Sequence, residues 1–370
     1  MLKKIALLCA PILLAAPFAT PGEAQRPAPS GYEQTAAAEA AANAARDVRN
    51  IPAKSILVPT EDVSANVRAL IGNPFPPFMN SDPKTPAEWH DLIDKRASQT
   101  AAILPAMREK MGVTVEPGTI AGVKVFYVTP KNIPPANQNR LLVHVHGGGY
   151  VFGPGEAATG EAILLAGFGG YKVVSVDYRM PPDFPYPAAM DDAMAVWKEV
   201  AKTIAPGRTA IFGTSTGGAM TLAMVLRAKA EGLPLPAAIA PGTPWSDLDN
   251  VGDTYASNEY VDNVLVTWNG WLGRAAKLYA NGHDFKDPQL SPVYGDFSGL
   301  PPAILTSGTR DLFLSNTVRT HRKLRRAGVE AELNVYEGQS HAQYGADMNA
   351  PETREAFLDI ARFFDTHLAR

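Results

Sequence analysis

The segment Gly213-Thr214-Ser215-Thr216-Gly217 stands between a short apolar run and a stretch of helical periodicity, and that context restricts the local fold strongly. Arg208 to Phe212 reads as a buried strand, and Gly218 to Ala230, with Ala, Met, Leu and Val at helical spacing, reads as the helix that follows. Ser215 then sits on a sharp turn where strand and helix approach so closely that the positions two residues to either side must be small. Gly213 and Gly217 meet that need. Taken alone the pentapeptide could also be a chance Gly/Ser/Thr-rich loop. The rest of the chain has to decide.

A serine hydroxyl is a poor nucleophile at neutral pH unless a general base lies within hydrogen-bond reach and a third group orients that base. On a turn of this kind the partners come later in the chain, the acid before the histidine. Pro302 to Gly308 reads as a strand, with Asp311 just past its end; Glu330 to Tyr336 alternates as a strand does, and the loop beyond it carries His341. Asp311 beside Arg310 could instead be a surface ion pair or a helix N-cap, and His341 could be merely solvated. The order of elements favours the catalytic assignment. His283, His321 and His367 have no strand leading into them.

Charge developing on a carbonyl oxygen requires preorganised donors. Leu141 to Val145 is an apolar strand that ends in His146-Gly147-Gly148-Gly149-Tyr150, a glycine-rich loop able to present bare N–H groups. Gly147, Gly148 and the N–H of Thr216 are the candidate oxyanion hole. His144 and His146, two apart on the same strand, could be read as a metal pair. No third ligand lies near them in sequence, so no metal is expected.

His146-Gly147-Gly148-Gly149, Asp177-Tyr178-Arg179, Tyr186 to Asp192 and the serine turn occur in register with Ser291-Pro292, Gly299 to Pro302, Gly308 to Asp311 and Gly338 to His341. Over roughly residues 115–370 this set resembles the bacterial hormone-sensitive-lipase-like esterases of the α/β-hydrolase superfamily. The resemblance implies an α/β-hydrolase fold with a helical cap. It also implies hydrolysis of carboxylic esters by Ser215 as nucleophile, His341 as base then acid, and Asp311 as its orienter, with Gly147, Gly148 and Thr216 as oxyanion hole and no cofactor. Two departures stand out. Thr216 replaces the usual alanine, and its branched side chain is expected to crowd the acyl side. Met180 to Asp183 replaces the usual leucine-alanine-proline-glutamate run.

Lys3 and Lys4 precede an apolar run from Ile5 to about Phe18, broken by Pro11 and Pro17, and a small-residue stretch suited to cleavage after Ala24. The run is too short for a spanning helix, so residues 1–24 read as a secretory signal and the protein as exported, periplasmic or secreted; a retained anchor is the alternative. The single cysteine, Cys9, lies in that segment, so the mature chain has no thiol for a disulfide. Beyond Ala24 the chain carries 32 basic and 36 acidic residues, a net of −4. That balance argues against nucleic acid or an anionic membrane as a principal partner, and the resemblance implies a small-molecule ester as substrate. A homodimer stays open.

Residues 25–50 form a proline-rich tether and an alanine-rich segment, and residues 51–112, free of strand alternation, suit an N-terminal cap. From Val113, strand and helix patterns alternate as in a mostly parallel sheet flanked by helices, a catalytic domain over residues 113–370. A second cap insertion at about 247–297 interrupts the series and holds Trp268, Trp271 and Tyr279 at near-helical spacing. They read as core more readily than as acyl-pocket lining. Short to medium acyl esters are the expected substrates. A lactonase, amidase or carbamate hydrolase would use the same residues, and a non-catalytic ligand-binding relative on the same fold is the other class left open.

Overall fold

The alternating patterns from Val113 onward build an eight-stranded sheet in the computed structural model, which describes residues 55–369. The segment read above as a secretory signal, with Cys9, the tether, the alanine-rich stretch and residues 51–54 lie outside the described residues. In chain order the strands are β1 (Val113–Ile120), β2 (Val123–Pro130), β3 (Leu141–Val145), β4 (Lys172–Val176), β5 (Thr209–Thr214), β6 (Ala238–Gly242), β7 (Ala303–Gly308) and β8 (Ala331–Tyr336). They lie in the order β1-β2-β4-β3-β5-β6-β7-β8. β1 and β2 form an antiparallel hairpin and β2 pairs antiparallel with β4, while all further pairs are parallel. The hairpin turns through Ala121 and Gly122, both at positive φ, the twist that tight hairpins require.

Among the described residues eight principal helices accompany the sheet: α1 (Ala65–Ile71), α2 (Pro86–Met111), α3 (Gly160–Gly169), α4 (Ala188–Thr203), α5 (Thr216–Ala230), α6 (Gly273–Ala280), α7 (Leu314–Arg326) and α8 (Pro351–His367). Strands covered on both faces need apolar residues at every position. β3 from Leu141 to Val143 and β7 from Ala303 to Leu305 read that way because successive residues enter different cores. Val143, Val174, Ile211 and Leu305 pack with Trp197 of α4 and Leu222 of α5 on one face. Leu142, Val173, Phe212 and Ile304 pack with Ile163 of α3 and Phe357 and Phe364 of α8 on the other. Each such side chain, fully buried, contributes about 1.5–3 kcal/mol.

Helix α2 starts at a capping box, Thr85 Oγ1 accepting from Glu88 N–H and Glu88 Oε2 accepting from Thr85 N–H, and ends on Gly112 at φ 62°. Its first half places Trp89 and Ile93 in the first core, and its second half places Leu104 and Met107 in the second. The buried Arg140, just before β3, donates to Asn137, Asp365 and the carbonyls of Leu368 and Ala369, which fastens the C-terminal helix to the sheet. Among the described residues no helix is long and apolar enough to cross a membrane.

The helix after β3 begins as a 3-10 turn, Gly155–Thr159, in which the Thr159 hydroxyl bonds to the Glu156 carbonyl, and becomes α-helical only at Gly160. One sequence expectation shifts locally. Trp268 and Tyr279 do not share one continuous helix. Asn269 and Gly270 leave helical geometry, so Trp268 is half-buried while Trp271 and Tyr279 enter the first core.

Candidate active site

The carboxyl ends of β3, β5, β7 and β8 deliver the candidate residues to one edge of the sheet, where open α/β sheets place their ligands. Between β5 and α5, Ser215 sits at φ 66°, ψ −121°, a strained backbone for a non-glycine residue. A Cβ at Gly213 or at Gly217 would stand 2.0 Å from the Val145 carbonyl oxygen, so only glycine allows the turn to press against the end of β3. The oxyanion loop approaches as closely. A Cβ at Gly147 would lie 2.7 Å from Thr214 O, and Gly148 adopts φ 122°. Neither the Gly147 nor the Gly148 N–H donates to an acceptor among the described residues, which leaves both for a ligand.

At the other end of the site, His341 Nδ1 lies 3.0 Å from Asp311 Oδ1. Asp311 is fully buried and held by three further donors: Phe313 N–H at 2.8 Å on Oδ1, and the hydroxyls of Ser307 and Thr243 on Oδ2. The two halves of the site meet at the end of β6. Ser215 N–H donates to the Gly242 carbonyl at 2.9 Å, and the Oγ1 of the next residue, Thr243, also lies 3.3 Å from His341 Nδ1. The Ser215 hydroxyl makes no hydrogen bond among the described residues.

Thr216 corrects one expectation. The residue is wholly buried and its hydroxyl lies beside that of Tyr178, under the oxyanion loop. Its branched side chain therefore turns into the interior and does not crowd the acyl side. Beside the oxyanion loop, the Trp271 ring would meet a Cβ at Gly149 at 2.8 Å and packs edge-on against Phe78 and tilted against Phe152.

His144 and His146 are each engaged elsewhere. His144 bonds to Ser175 Oγ at 2.9 Å and Glu161 Oε2 at 3.1 Å, deep under the sheet edge. His146 stacks on the Tyr178 ring, 4.1 Å between centroids, with Nδ1 on the Gly147 carbonyl and Nε2 buried without a partner. No cluster of three or more metal-ligating side chains occurs among the described residues. His283 packs against Tyr186, His321 bonds to the Ala331 carbonyl and His367 faces Glu330, all apart from the pair at Asp311.

Burial lowers the His146 pKa to about 3, with the bond to Gly147 O opposing and His144 adding to the shift. An unfolded histidine takes up its proton near pH 6.5, so between about pH 6.5 and 3 the unfolded chain binds one more proton and folding stability falls as pH falls. The expected slope is about 1.4 kcal/mol per pH unit. His146→Gln should flatten the acid side of the stability curve by that amount. Urea midpoints at pH 6.5 and 4.5 for both proteins measure it, and parallel losses would exclude His146 as the cause.

Sequence reading missed three residues at this site. Thr243 and Ser307 bond to Asp311, and Asp262, fully buried, bonds to the backbone of both Leu312 and His341. Thr243 carries a signal that could have found it, since it directly follows a central parallel strand. Asp262 lies in an irregular loop and carries none.

Residues 142–345 match a protein family described as the alpha/beta hydrolase fold. An acetyl-hydrolase of Streptomyces hygroscopicus is 30% identical over 278 residues, covering 75% of this chain and 91% of the relative. Among solved structures, one of an esterase aligns at a TM-score of 0.84 with 41% identity, covering 87% of this chain and 100% of that one. A hormone-sensitive lipase from a metagenome library aligns at 0.66 with 26% identity, over 77% of this chain and 99% of that one.

Proposed function

Because the chain belongs to the alpha/beta hydrolase family, among its bacterial hormone-sensitive-lipase-like esterases, we propose that it is a serine carboxylic-ester hydrolase working through an acyl-enzyme. The observation that carries the reading is the buried Asp311–His341 pair, joined through Gly242 and Thr243 to Ser215 on its strained turn. In this mechanism His341 accepts the Ser215 proton as Oγ attacks the ester carbonyl, and the N–H groups of Gly147, Gly148 and Thr216 receive the oxyanion. The same imidazole then protonates the leaving alkoxide. Water, deprotonated by His341, releases the acid and restores the hydroxyl. Asp311 holds the ring tautomer with Nδ1–H toward itself and stabilises the transient imidazolium.

The same proposal includes a short acyl pocket beside the oxyanion loop, where the Trp271 ring packs on Gly149. A methylene buried there adds roughly 0.8 kcal/mol until the space is full, so activity should rise and then fall with acyl length. A p-nitrophenyl ester series from acetyl to palmitoyl tests both statements. The expected optimum lies at about four to eight carbons, with no sensitivity to chelators. Saturable binding of esters without any turnover would overturn the hydrolase reading, and a palmitoyl optimum would overturn the pocket alone. The apolar, twice-lysine N-terminal segment supports export as part of the same proposal.

A further inference from the structure

The loop around residues 258–265 braces both halves of the Asp311–His341 pair. Asn258 Nδ2 donates to the carbonyls of Thr309 at 3.2 Å and Asp311 at 2.9 Å. Asn263 N–H donates to Ser340 Oγ, and its side-chain amide donates to the carbonyls of Leu70 and Ile71, which end α1, and of Asn73 just beyond. Between them stands Asp262, with no solvent exposure. Its Oδ1 accepts the N–H groups of Val264 at 2.8 Å and Leu265 at 3.0 Å, which closes its own loop. Its Oδ2 accepts the N–H of Leu312, the residue after Asp311, at 2.8 Å and that of His341 itself at 3.3 Å. Four N–H donors converging on two oxygens suit a carboxylate. An asparagine there would turn its NH2 group onto one of the donor pairs.

We propose that Asp262 is a positioning residue for the Asp311–His341 pair, locking both loops through one carboxylate and setting a second negative charge beside the imidazole. The proposal rests on the esterase reading. While His341 is neutral, Asp262 and Asp311 repel one another. When the ring takes the Ser215 proton, both carboxylates attract it, so the interaction is stronger in the transition state than in the resting enzyme. Asp311 and His341 are the titratable groups that act on Asp262. Burial and Asp311 raise its pKa to about 6, and His341 and the N–H groups of Leu312 and Val264 oppose them.

The test compares wild type, Asp262→Asn and Asp262→Glu. Asp262→Asn is expected to lower kcat by about 10- to 100-fold with KM changed less than about two-fold, and to move the acid limb of kcat/KM to lower pH by about one unit. Asp262→Glu returns the charge on a longer arm and should bring the limb back whatever its kcat. A residue that merely held the fold would lower activity without moving the limb. Proton NMR titration of the His341 ring in a Ser215→Ala background reads the same displacement without turnover. A wild-type His341 titration in Asp262→Asn, or in Asp262→Glu a limb that fails to return, overturns the proposal even where wild type hydrolyses esters well. Should wild type hydrolyse no ester, the esterase reading falls and the NMR titration alone decides this one. If Asp262→Asn does not fold, Asp262→Ser, smaller and equally uncharged, decides: a limb moved to lower pH supports the proposal and a limb at the wild-type pH overturns it.

Discussion

Replacing Ser215 by alanine is expected to reduce kcat/KM on a short-chain ester by at least about 1,000-fold while the melting temperature stays within about 2 °C of wild type. The hydroxyl makes no hydrogen bond among the described residues, so its removal orphans no buried partner, and the side chain is small enough to leave no sizeable cavity. His341→Ala should cost nearly as much, and the double variant little more than either, because the residues act as one unit. A Ser215→Gly variant separates chemistry from strain. At φ 66° glycine pays no steric penalty, so this inactive protein is expected to be at least as stable as Ser215→Ala. Initial rates with p-nitrophenyl butyrate and thermal melts of the variants settle the matter. Activity above a tenth of wild type in Ser215→Ala would sink the serine mechanism.

The residues in that experiment were legible in the sequence because each follows an element with strong periodicity. Phe212, Gly308 and Tyr336 end or nearly end strands whose apolar patterns leave little choice, so the loops holding Ser215, Asp311 and His341 follow from chain order. What escaped depends on contacts distant in sequence. Asp262 bonds to residues 50 and 79 positions away, and nothing in its neighbourhood of Tyr260, Val261 and Asn263 marks a buried carboxylate. The direction of the Thr216 side chain was misread for a related reason. Its surroundings are set by Tyr178, which follows β4 and stacks on His146 from across the sheet edge. The break at Gly270 is equally invisible to periodicity, since Trp268 and Trp271 keep helical spacing in sequence while the backbone between them does not.

The largest effect on stability is expected at Gly217. A methyl group there would meet the Val145 carbonyl oxygen at 2.0 Å and the His146 carbonyl carbon at 2.9 Å, both backbone atoms that no rotamer change can move aside. Gly217→Ala must therefore push α5 away from the end of β3, and a loss above about 3 kcal/mol is expected, beyond the usual range for overpacking by a side chain. Gly160 supplies the contrast. It opens α3 with no heavy atom within 4 Å of its Cβ position and an ordinary helical φ of −54°, so Gly160→Ala should stabilise by about 0.4–1 kcal/mol through the unfolded chain. Urea unfolding of the two variants at one pH compares them directly. A Gly217→Ala protein within about 1 kcal/mol of wild type would mean that the close approach is not obligatory. If it is obligatory, the glycine does more than relieve crowding. The same contact brings Gly147 within 2.7 Å, Cβ position to oxygen, of Thr214, and so fixes how near the oxyanion donors stand to Ser215. Any residual folded Gly217→Ala protein should then hydrolyse esters more slowly at full substrate saturation, because donors displaced by even 1 Å from the developing charge lose most of their stabilisation.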